Sequence, residues 1–373
     1  MPEPRQPHGV HPTIRHHGYK LAVGIVIALR QHTLLTPFIL AGALLLVVAA
    51  FALTRGAAAI PPATTLGVLI DQLPLLSLEV DAPAHWERIV LEIRLPRVVA
   101  AGVVGAALGF AGASYQGVFR NPLAEPFLLG VASGAALGAS IAILLPLHSD
   151  AYGFGWVPAF AFAGAALTVV LVYLLARAGA AANDATLILA GVALSAVLSA
   201  ATSFLLLTGG EQARPIFSFL FGGFNTATWE RIAIGTPYIV LGAAVVTLHA
   251  RVLDVLQLDT EQAEQLGVNV NRVRLTVLAA ASLMAATAVA IAGIIGFVGL
   301  IVPHTVRMLI GTKHARLLPL SALIGASLLI TADVIARTAL SPQEVPVGIE
   351  TALAGGPFFL YLLRTHRAGL APR

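Results

Sequence analysis

The sequence predicts an all-α integral membrane protein with about ten transmembrane helices, and three observations support this fold class. Of the 373 residues, 58% are hydrophobic and only 11% are charged. The mean hydropathy is +0.88. Soluble domains average about 45–50% apolar and about 25% charged residues, so too little polar surface remains here to coat a water-soluble globule. The apolar residues also fall into runs of about 20, the length that crosses a bilayer.

The apolar runs define the order of the elements along the chain. A polar segment, residues 1–33, comes first and is interpreted as a cytoplasmic tail, because it lacks the apolar core and cleavage site of a signal peptide. The predicted spans are Leu34–Leu53 and residues 95–115, 126–147, 156–176, 185–208, 232–250, 273–292, 294–311, 317–338 and 347–363. Residues 34–365 then form a single transmembrane domain, and residues 366–373 form a short cytoplasmic tail.

The basic residues predict the orientation of the chain. An even number of spans places both termini on one side of the membrane, and cytoplasmic loops carry an excess of Lys and Arg. Most of the 22 Lys and Arg residues fall in segments on the same side as the termini, so both termini are predicted to be cytoplasmic. The net charge of +4 then reflects loops near anionic lipid and not nucleic-acid binding. The chain has no Cys, which excludes disulfides and thiolate metal sites.

Small residues recur every four positions in two of the apolar runs. Gly105 and Gly109 form one set, and Gly130, Gly134 and Gly138 form the other. Four-residue spacing places each set on one face of a helix. Because small residues let helix backbones approach closely in lipid, these faces are predicted to pack tightly within the bundle.

A turn between the second and third predicted spans carries candidate functional residues. Pro122 and Pro126 both disfavour helix in the residue before them. Asn121 can order this turn, and Leu123 can point into a lumen. Two interpretations stay open: an ordinary tight loop, or a constriction at one end of a pore.

The polar segment 251–274 predicts a short helix lying across a loop. Asp259 or Thr260 can cap this helix, whose first turn carries Glu261 and Glu264. Gly267 can end it as a C-terminal cap. The segment is either a solvated connector or a handle held by a partner protein.

Ionisable residues within the spans are functional candidates, since charge is costly in lipid. Asp333 and Arg337 are four residues apart, so they share a helix face and can pair. His304 and Arg307 lie one turn apart near Pro303. Either pair can serve a transported ligand or proton, or can stabilise neighbouring structure.

Motifs for catalysis are absent from the sequence. It contains no phosphate-binding Gly-x-x-x-x-Gly-Lys-Ser/Thr loop, no His-Glu-x-x-His and no Gly-x-Ser-x-Gly. The chain is therefore predicted not to be an enzyme, and any ATP hydrolysis must come from another chain.

An ordered set of segments resembles the FecCD family, the permease subunits of type II ABC importers for iron-siderophore complexes, haem and vitamin B12. The matching segments are Arg94-Leu-Pro-Arg97, residues 116–126, Leu129-Gly130-Val131, residues 189–192, Gln265-Leu266-Gly267-Val268, Gly296-Phe297-Val298-Gly299-Leu300, Pro303-His304, Ala332-Asp333, Glu344-Val-Pro346 and Gly355-Gly356-Pro357-Phe358. The resemblance covers residues 34–365, which is nearly the whole chain.

The resemblance implies a type II ABC importer permease fold that works as a homodimer in the bacterial inner membrane. Two ATP-binding cassette subunits, which hold ATP and Mg²⁺, and one periplasmic substrate-binding protein would complete the importer. The chain itself would bind no cofactor and no metal. The implied function is import of haem, a ferric siderophore or cobalamin from the periplasm to the cytoplasm.

The resemblance also implies roles for particular residues, all by their match to family motifs. Binding-protein docking is assigned to Arg94, Arg97 and Arg337. Coupling to the ATPase is assigned to Glu261, Glu264, Leu266, Gly267 and Val268, within a loop at about 254–272. Cytoplasmic gates are assigned to Asn121 and Leu123 in one turn and to Asp184 and Ala185 in another.

Two further alternatives stay open from the sequence. Ser195, Ser199 and Ser203 recur at four-residue spacing and can line a translocation path for a bulky ligand or can join helices by hydrogen bonds. The competing function is a secondary transporter driven by an ion gradient, which predicts a buried carboxylate near the bilayer midplane. Asp333 is the main candidate for that carboxylate, and Arg337 beside it weighs against a free ion site.

Overall fold

A computed structural model describes residues 15–56, 58–72, 83–145, 147, 155–178, 184–258, 260–341 and 343–369. The helices in these ranges are α1 (Arg15–Thr54), α2 (Pro62–Asp71), α3 (Ala84–Arg88), α4 (Leu95–Val118), α5 (Val131–Leu144), α6 (Trp156–Ala178), α7 (Asp184–Thr208), α8 (Ala213–Phe221), α9 (Trp229–Leu248), α10 (Ala250–Val255), α11 (Thr260–Gln265), α12 (Val270–Ala292), α13 (Val298–Ile310), α14 (His314–Thr338) and α15 (Val347–Gly369). A π-helical turn at Ile89–Arg94 and 3₁₀ turns at Pro126–Leu129 and Gly210–Gln212 complete them. Residues 1–14 and 370–373 of the predicted tails, and the predicted cap Asp259, lie outside the described residues.

The structure confirms an all-α membrane fold with about ten spans. By length and composition, seven helical segments can cross a bilayer, and they contain α1, α4, α6, α7, α9, α12 and α14. The apolar helices α5 and α13 are shorter. With these two and α15, whose 23 residues are long enough to span, the described part of the chain supplies ten spans.

Several helix boundaries differ from the predicted ones. Helix α1 begins at Arg15, within the segment predicted as a polar tail. The span predicted at 95–115 belongs to a continuous helical segment from Ala84 to Val118. The span predicted at 126–147 is divided by Gly130, whose φ of +78° separates the 3₁₀ turn from α5. Glycine has no Cβ and adopts this left-handed conformation at little cost.

Successive spans alternate in direction, which places the connecting segments at two ends of the bundle. One end, called the α11 end, carries α10, α11 and the turn after α4. The other, called the α8 end, carries α2, α3 and α8. Ion pairs between distant segments agree with this arrangement, since Asp184 pairs with Arg274 at the α11 end and Arg97 pairs with Asp333 at the α8 end.

The glycines of α4 and α5 allow close helix packing, as their spacing predicts. A Cβ at Gly105 would overlap the backbone of Gly325 on α14. The same holds for Gly134 on α5, where a Cβ would overlap the carbonyl of Gly164 on α6. Helices α4 and α12 are the most buried spans, and α1 and α7 are among the most exposed.

The chain is not helical between α12 and α13, although this segment is buried at the depth of the spans. Gly293 and Phe297 both have positive φ, at +71° and +67°. The freed backbone groups find partners, because Ile294 donates to the carbonyl of Phe219 at 3.2 Å and Phe297 donates to the carboxylate of Glu125. Irregular backbone is tolerated at membrane depth only where other protein groups, or water in a cavity, bond its N–H and C=O groups.

Candidate functional sites

A cluster of charged side chains lies at the α8 end, defined here as the arginine–carboxylate cluster of Arg97, Asp333, Arg337 and Glu344. Arg97 Nε lies 2.9 Å from Asp333 Oδ1, and its Nη1 lies 3.0 Å from Glu344 Oε1. Arg337 Nε lies 3.1 Å from the other oxygen of Asp333. The Asp333 side chain is only 1% exposed, so two arginines compensate one buried carboxylate. The pairing of Asp333 with Arg337 follows the four-residue spacing seen in the sequence.

Two of the three predicted docking arginines donate hydrogen bonds to backbone carbonyls at the C-terminal end of α1. Arg337 donates to the carbonyls of Ala52 at 3.2 Å and Arg55 at 2.9 Å. Arg94 donates to the carbonyl of Leu53 at 3.0 Å. The last carbonyls of a helix have no partner within it, and cations stabilise that end of the helix dipole. Arg94 and Arg337 are 3% and 8% exposed, so these buried guanidinium groups fix α1 to the rest of the bundle.

The turn after α4, where the first gate is predicted, is ordered by Asn121. Asn121 Oδ1 accepts a hydrogen bond from the backbone N–H of Leu123 at 2.9 Å. Arg120 before it has a φ of +48°, which reverses the chain. The Asn121 side chain thus orders the turn, while Leu123 is half-buried.

The second predicted gate is held by an ion pair that the sequence did not reveal. Asp184, the first residue of α7, lies 3.0 Å from Arg274 Nη1 on α12. Ala185 beside it is exposed. A carboxylate in the first turn of a helix is favoured by the helix dipole. The pair therefore fixes the start of α7 against α12 at the α11 end.

The predicted coupling segment is a preformed and exposed helix. Helix α11 ends in a Schellman motif, in which Gly267 N–H donates to Glu264 at 2.9 Å and Val268 N–H donates to Ala263 at 3.2 Å. Gly267 has the required positive φ of +79°. Ala263 is fully buried, whereas Leu266 is 65% exposed. Glu261 and Glu264 are also exposed, so the helix presents two carboxylates and an uncovered leucine.

The serines of α7 join two helices at one position and line a groove at the others. Ser133 on α5 donates to Ser195 at 3.1 Å, which joins two helices. Ser199 and Ser203 are exposed, and the hydroxyl of Ser203 donates to the Ser199 carbonyl at 2.9 Å. All three serines line a groove of about 400 Å³ between α5, α7 and α8.

Sequence reasoning missed two sets of polar groups. At the α11 end, Asp254 contacts His314, and Gln257 contacts Gly117. Residues this far apart in sequence carry no periodic signal. Glu350 lies in an apolar groove between α13, α14 and α15, and within the described residues its Oε2 atom is buried without a hydrogen-bond partner. The sequence did carry a signal for Glu350, because it is an ionisable residue inside an apolar run.

The bundle of membrane-spanning helices, with a buried charge cluster at one end and an exposed helix at the other, defines a multi-pass membrane protein. The model of the FecCD transport family matches residues 23–365. The chain belongs to this family, and it is a permease subunit of a type II ABC importer.

Curated relatives cover most of the chain. The cobalamin import system permease protein BtuC of Halobacterium salinarum is 47% identical over 287 residues, which are 77% of this chain and 76% of the relative. The hemin transport system permease protein HmuU of Yersinia pestis is 42% identical over 293 residues, which are 76% of this chain and 85% of the relative. These proteins are what the chain resembles in sequence.

Solved structures have the same fold. A metal-chelate type ABC transporter in an inward-facing conformation matches with a TM-score of 0.74 and 32% identity, over 87% of this chain and 97% of that chain. PsaBC from Streptococcus pneumoniae matches with a TM-score of 0.55 and 17% identity, over 74% of this chain and 93% of that chain. The second match supports the fold alone.

Proposed function

We propose that two copies of this chain form the transmembrane path of an importer that carries haem, a ferric siderophore or cobalamin from the periplasm to the cytoplasm. Two ATP-binding cassette subunits would hydrolyse ATP with Mg²⁺, and a periplasmic binding protein would deliver the ligand. The chain itself would hold no cofactor or metal. It would lie in the bacterial inner membrane with both termini in the cytoplasm, so that the α11 end is cytoplasmic. Relatives named for cobalamin and hemin transport support this ligand class.

The exposed helix α11 is the observation that carries the proposal. The Schellman motif fixes the helix before any partner binds, and Leu266 at its end, 65% exposed, offers an apolar contact on this fixed surface. Glu261 and Glu264 flank this leucine and would give the contact its orientation, since complementary charges set register. The ATP-binding subunit is therefore the proposed occupant of this surface.

A second copy of the chain is the proposed partner of the exposed face of α7. This face exposes Leu189, Val197 and Leu207, at 70%, 64% and 85%. It also exposes Ser199 and Ser203, whose hydroxyls gain nothing from facing lipid tails. In a homodimer these serines would face an internal path. Hydroxyls among small apolar side chains suit the passage of a bulky ligand without binding it tightly.

The gates are proposed to close that path at its cytoplasmic end. Asn121 and Leu123 would form one gate, and Asp184 and Ala185 the other. The Asn121 turn and the ion pair of Asp184 with Arg274 support this role, because each sets the position of a residue at the α11 end.

Docking of the binding protein is proposed at the α8 end through Arg94, Arg97 and Arg337. Arg97 is 11% exposed and is shared between Asp333 and the more exposed Glu344. Of the three arginines, Arg97 can be reached by a partner carboxylate with the least rearrangement. The buried partners of Arg94 and Arg337 would hold the docking surface in place.

The geometry of Asp333 disfavours an ion-gradient mechanism. Such a mechanism needs a buried carboxylate that can bind and release a cation. Asp333 is instead occupied by two guanidinium groups within 3.1 Å, which a transported cation would have to displace.

Reconstitution in liposomes tests the proposal. The chain is co-expressed with its ATP-binding subunit, the complex is inserted into liposomes, and uptake of haem, a ferric siderophore or cobalamin is measured with the matching binding protein outside. Uptake that needs both ATP and the binding protein is expected. Uptake driven by a proton or sodium gradient without ATP would contradict the proposal.

A further inference from the structure

The segment just before the coupling helix is anchored in the core of the bundle. In α10, Leu253 is fully buried, and Leu256, directly after this helix, is only 2% exposed. Helix α11 begins at Thr260, a few residues later, and is exposed on most of its surface. Helix α11 is therefore connected, within about one helical turn, to a segment whose side chains are fixed in the core of the bundle.

Asp254 on this anchor is bonded to the first residue of α14. Its Oδ1 accepts two hydrogen bonds from His314, one from the backbone N–H at 2.9 Å and one from the ring Nδ1 at 2.6 Å. The first N–H groups of a helix have no partner within it, and a carboxylate there is favoured by the dipole. The His314 side chain is 2% exposed and the Asp254 side chain 36%, so the contact lies at the edge of the buried bundle.

Gln257 forms a second bond from the same segment, to the end of α4. Its Nε2 donates to the carbonyl of Gly117 at 2.9 Å and also to the carbonyl of Leu253 at 3.1 Å. A Cβ at Gly117 would lie only 2.5 Å from His314 Nε2. Glycine is thus required for His314 to reach Asp254, and α4, α10 and α14 meet at one point.

The Asn121 turn begins only three residues beyond Gly117. We infer that Asp254, Gln257, Gly117 and His314 form a joint that transmits movement of the coupling helix α11 to this turn. This inference rests on the proposed function. It specifies the contacts through which ATP-driven movement of α11 would reach the gate turn. Asp254 and Gln257 are positioning residues here, since they act on the gate through α4 and α14.

Spin-label distances test the joint in the complete importer. The chain has no Cys, so one introduced cysteine gives one label per copy and one distance across the dimer. Gln262→Cys reports on α11, and Arg120→Cys reports on the gate turn. Both residues are exposed. Distances are measured with and without ATP and vanadate, first with the native joint and then with Gln257→Leu, Asp254→Asn and both together.

With the native joint, both distances are expected to change when nucleotide binds. With Gln257→Leu, the Gln262 distance should still change, while the change at Arg120 shrinks. ATP hydrolysed per ligand imported should rise about fivefold, the factor that corresponds to loss of one ordinary hydrogen bond. The double variant should show a larger effect at Arg120 than either single variant.

A control separates transmission from simple loss of folding. Arg251→Gln changes an exposed residue on α10 that takes no part in the bonds of Asp254 with His314 and of Gln257 with Gly117, and it should leave both distances and the ATP ratio unchanged. Equal changes at Arg120 in the Gln257→Leu and native proteins would overturn the joint while leaving the importer intact. Failure of the native complex to import with ATP would instead overturn the proposed function, and the joint with it.

Discussion

Arg97 holds Asp333 across 236 positions of sequence, with 2.9 Å between Nε and the nearer carboxylate oxygen. The bond joins α4 to α14 at the α8 end, where Arg337 approaches the same carboxylate from its own helix. The cluster therefore fixes the relative position of two of the central helices. The two arginines and two carboxylates of this cluster balance in charge, and loss of any one of them would leave a net charge.

Removal of the Asp333 carboxylate is predicted to destabilise the protein strongly. Asp333→Ala would leave the buried Arg337 guanidinium without its carboxylate and Arg97 with Glu344 alone, a loss of about 3–5 kcal/mol. Thermal unfolding in mild detergent measures it. Glu344→Ala is the matched control, because Glu344 is 45% exposed and an exposed pair is worth about 0–1 kcal/mol. Similar melting temperatures for the two variants would contradict the structural role of Asp333.

Close packing of α4 against α14 predicts a sharp difference between two glycines of α4. Gly105→Ala would force a Cβ into the backbone of Gly325, whereas the nearest atom to a Cβ at Gly102 is a flexible Ile330 methyl at 3.5 Å. Overpacking costs about 1–3 kcal/mol, so Gly105→Ala should lower the melting temperature. Gly102→Ala should leave it unchanged or raise it slightly, because alanine favours helix. A melting temperature lowered equally by both would show that α4 does not pack as described.

The uncovered leucine of α11 is predicted to bind the ATP-binding subunit. Leu266→Ala should reduce the ATPase that co-purifies with the chain roughly tenfold, the factor for a loss of about 1.4 kcal/mol. Leu340→Ala, at an exposed leucine of the opposite end, should have no effect. Pull-down with ATPase activity as the readout measures both. Undiminished co-purification of the Leu266 variant would remove α11 from the interface.

The Asn121 side chain is predicted to keep the gate turn closed. Asn121→Ala removes the acceptor for the Leu123 N–H, at a cost of about 1 kcal/mol, and should raise leakage of ligand through liposomes without ATP. Asn121→Asp keeps an oxygen acceptor and should leak less than the alanine variant. Leakage that is the same for both variants and the native protein would argue against a gate at this turn.

Docking through Arg97 is predicted to depend on charge. Arg97→Gln should slow association of the binding protein and weaken its dependence on salt, because complementary charge acts mainly on the association rate. Arg88→Gln is the control, since Arg88 lies at the same end with a side chain 77% exposed. Surface plasmon resonance on folded, monodisperse protein gives the rates. Identical rates for the two variants would contradict docking at Arg97.

The features that could be predicted from the sequence are those that depend on neighbours along the chain. Run length gives the spans, and four-residue spacing gives the pairing of Asp333 with Arg337. The Gly267 cap and the Asn121 turn were also predicted, because their hydrogen bonds reach only a few residues. The order of the motifs identified the family, because comparing whole segments of sequence needs no knowledge of how the helices pack.

The tertiary structure decided which distant side chains meet. Arg97 reaches Glu344, Asp254 reaches His314, and Arg94 reaches the end of α1. No periodicity connects these residues, because each contact depends on the register and rotation of one packed helix against another. The break at Phe297 was likewise hidden, since its backbone is stable only where Glu125 and neighbouring helices satisfy it. Composition and local spacing thus determine that the chain spans a membrane and where its helices run, while helix packing determines which charges are compensated and how the two ends are connected.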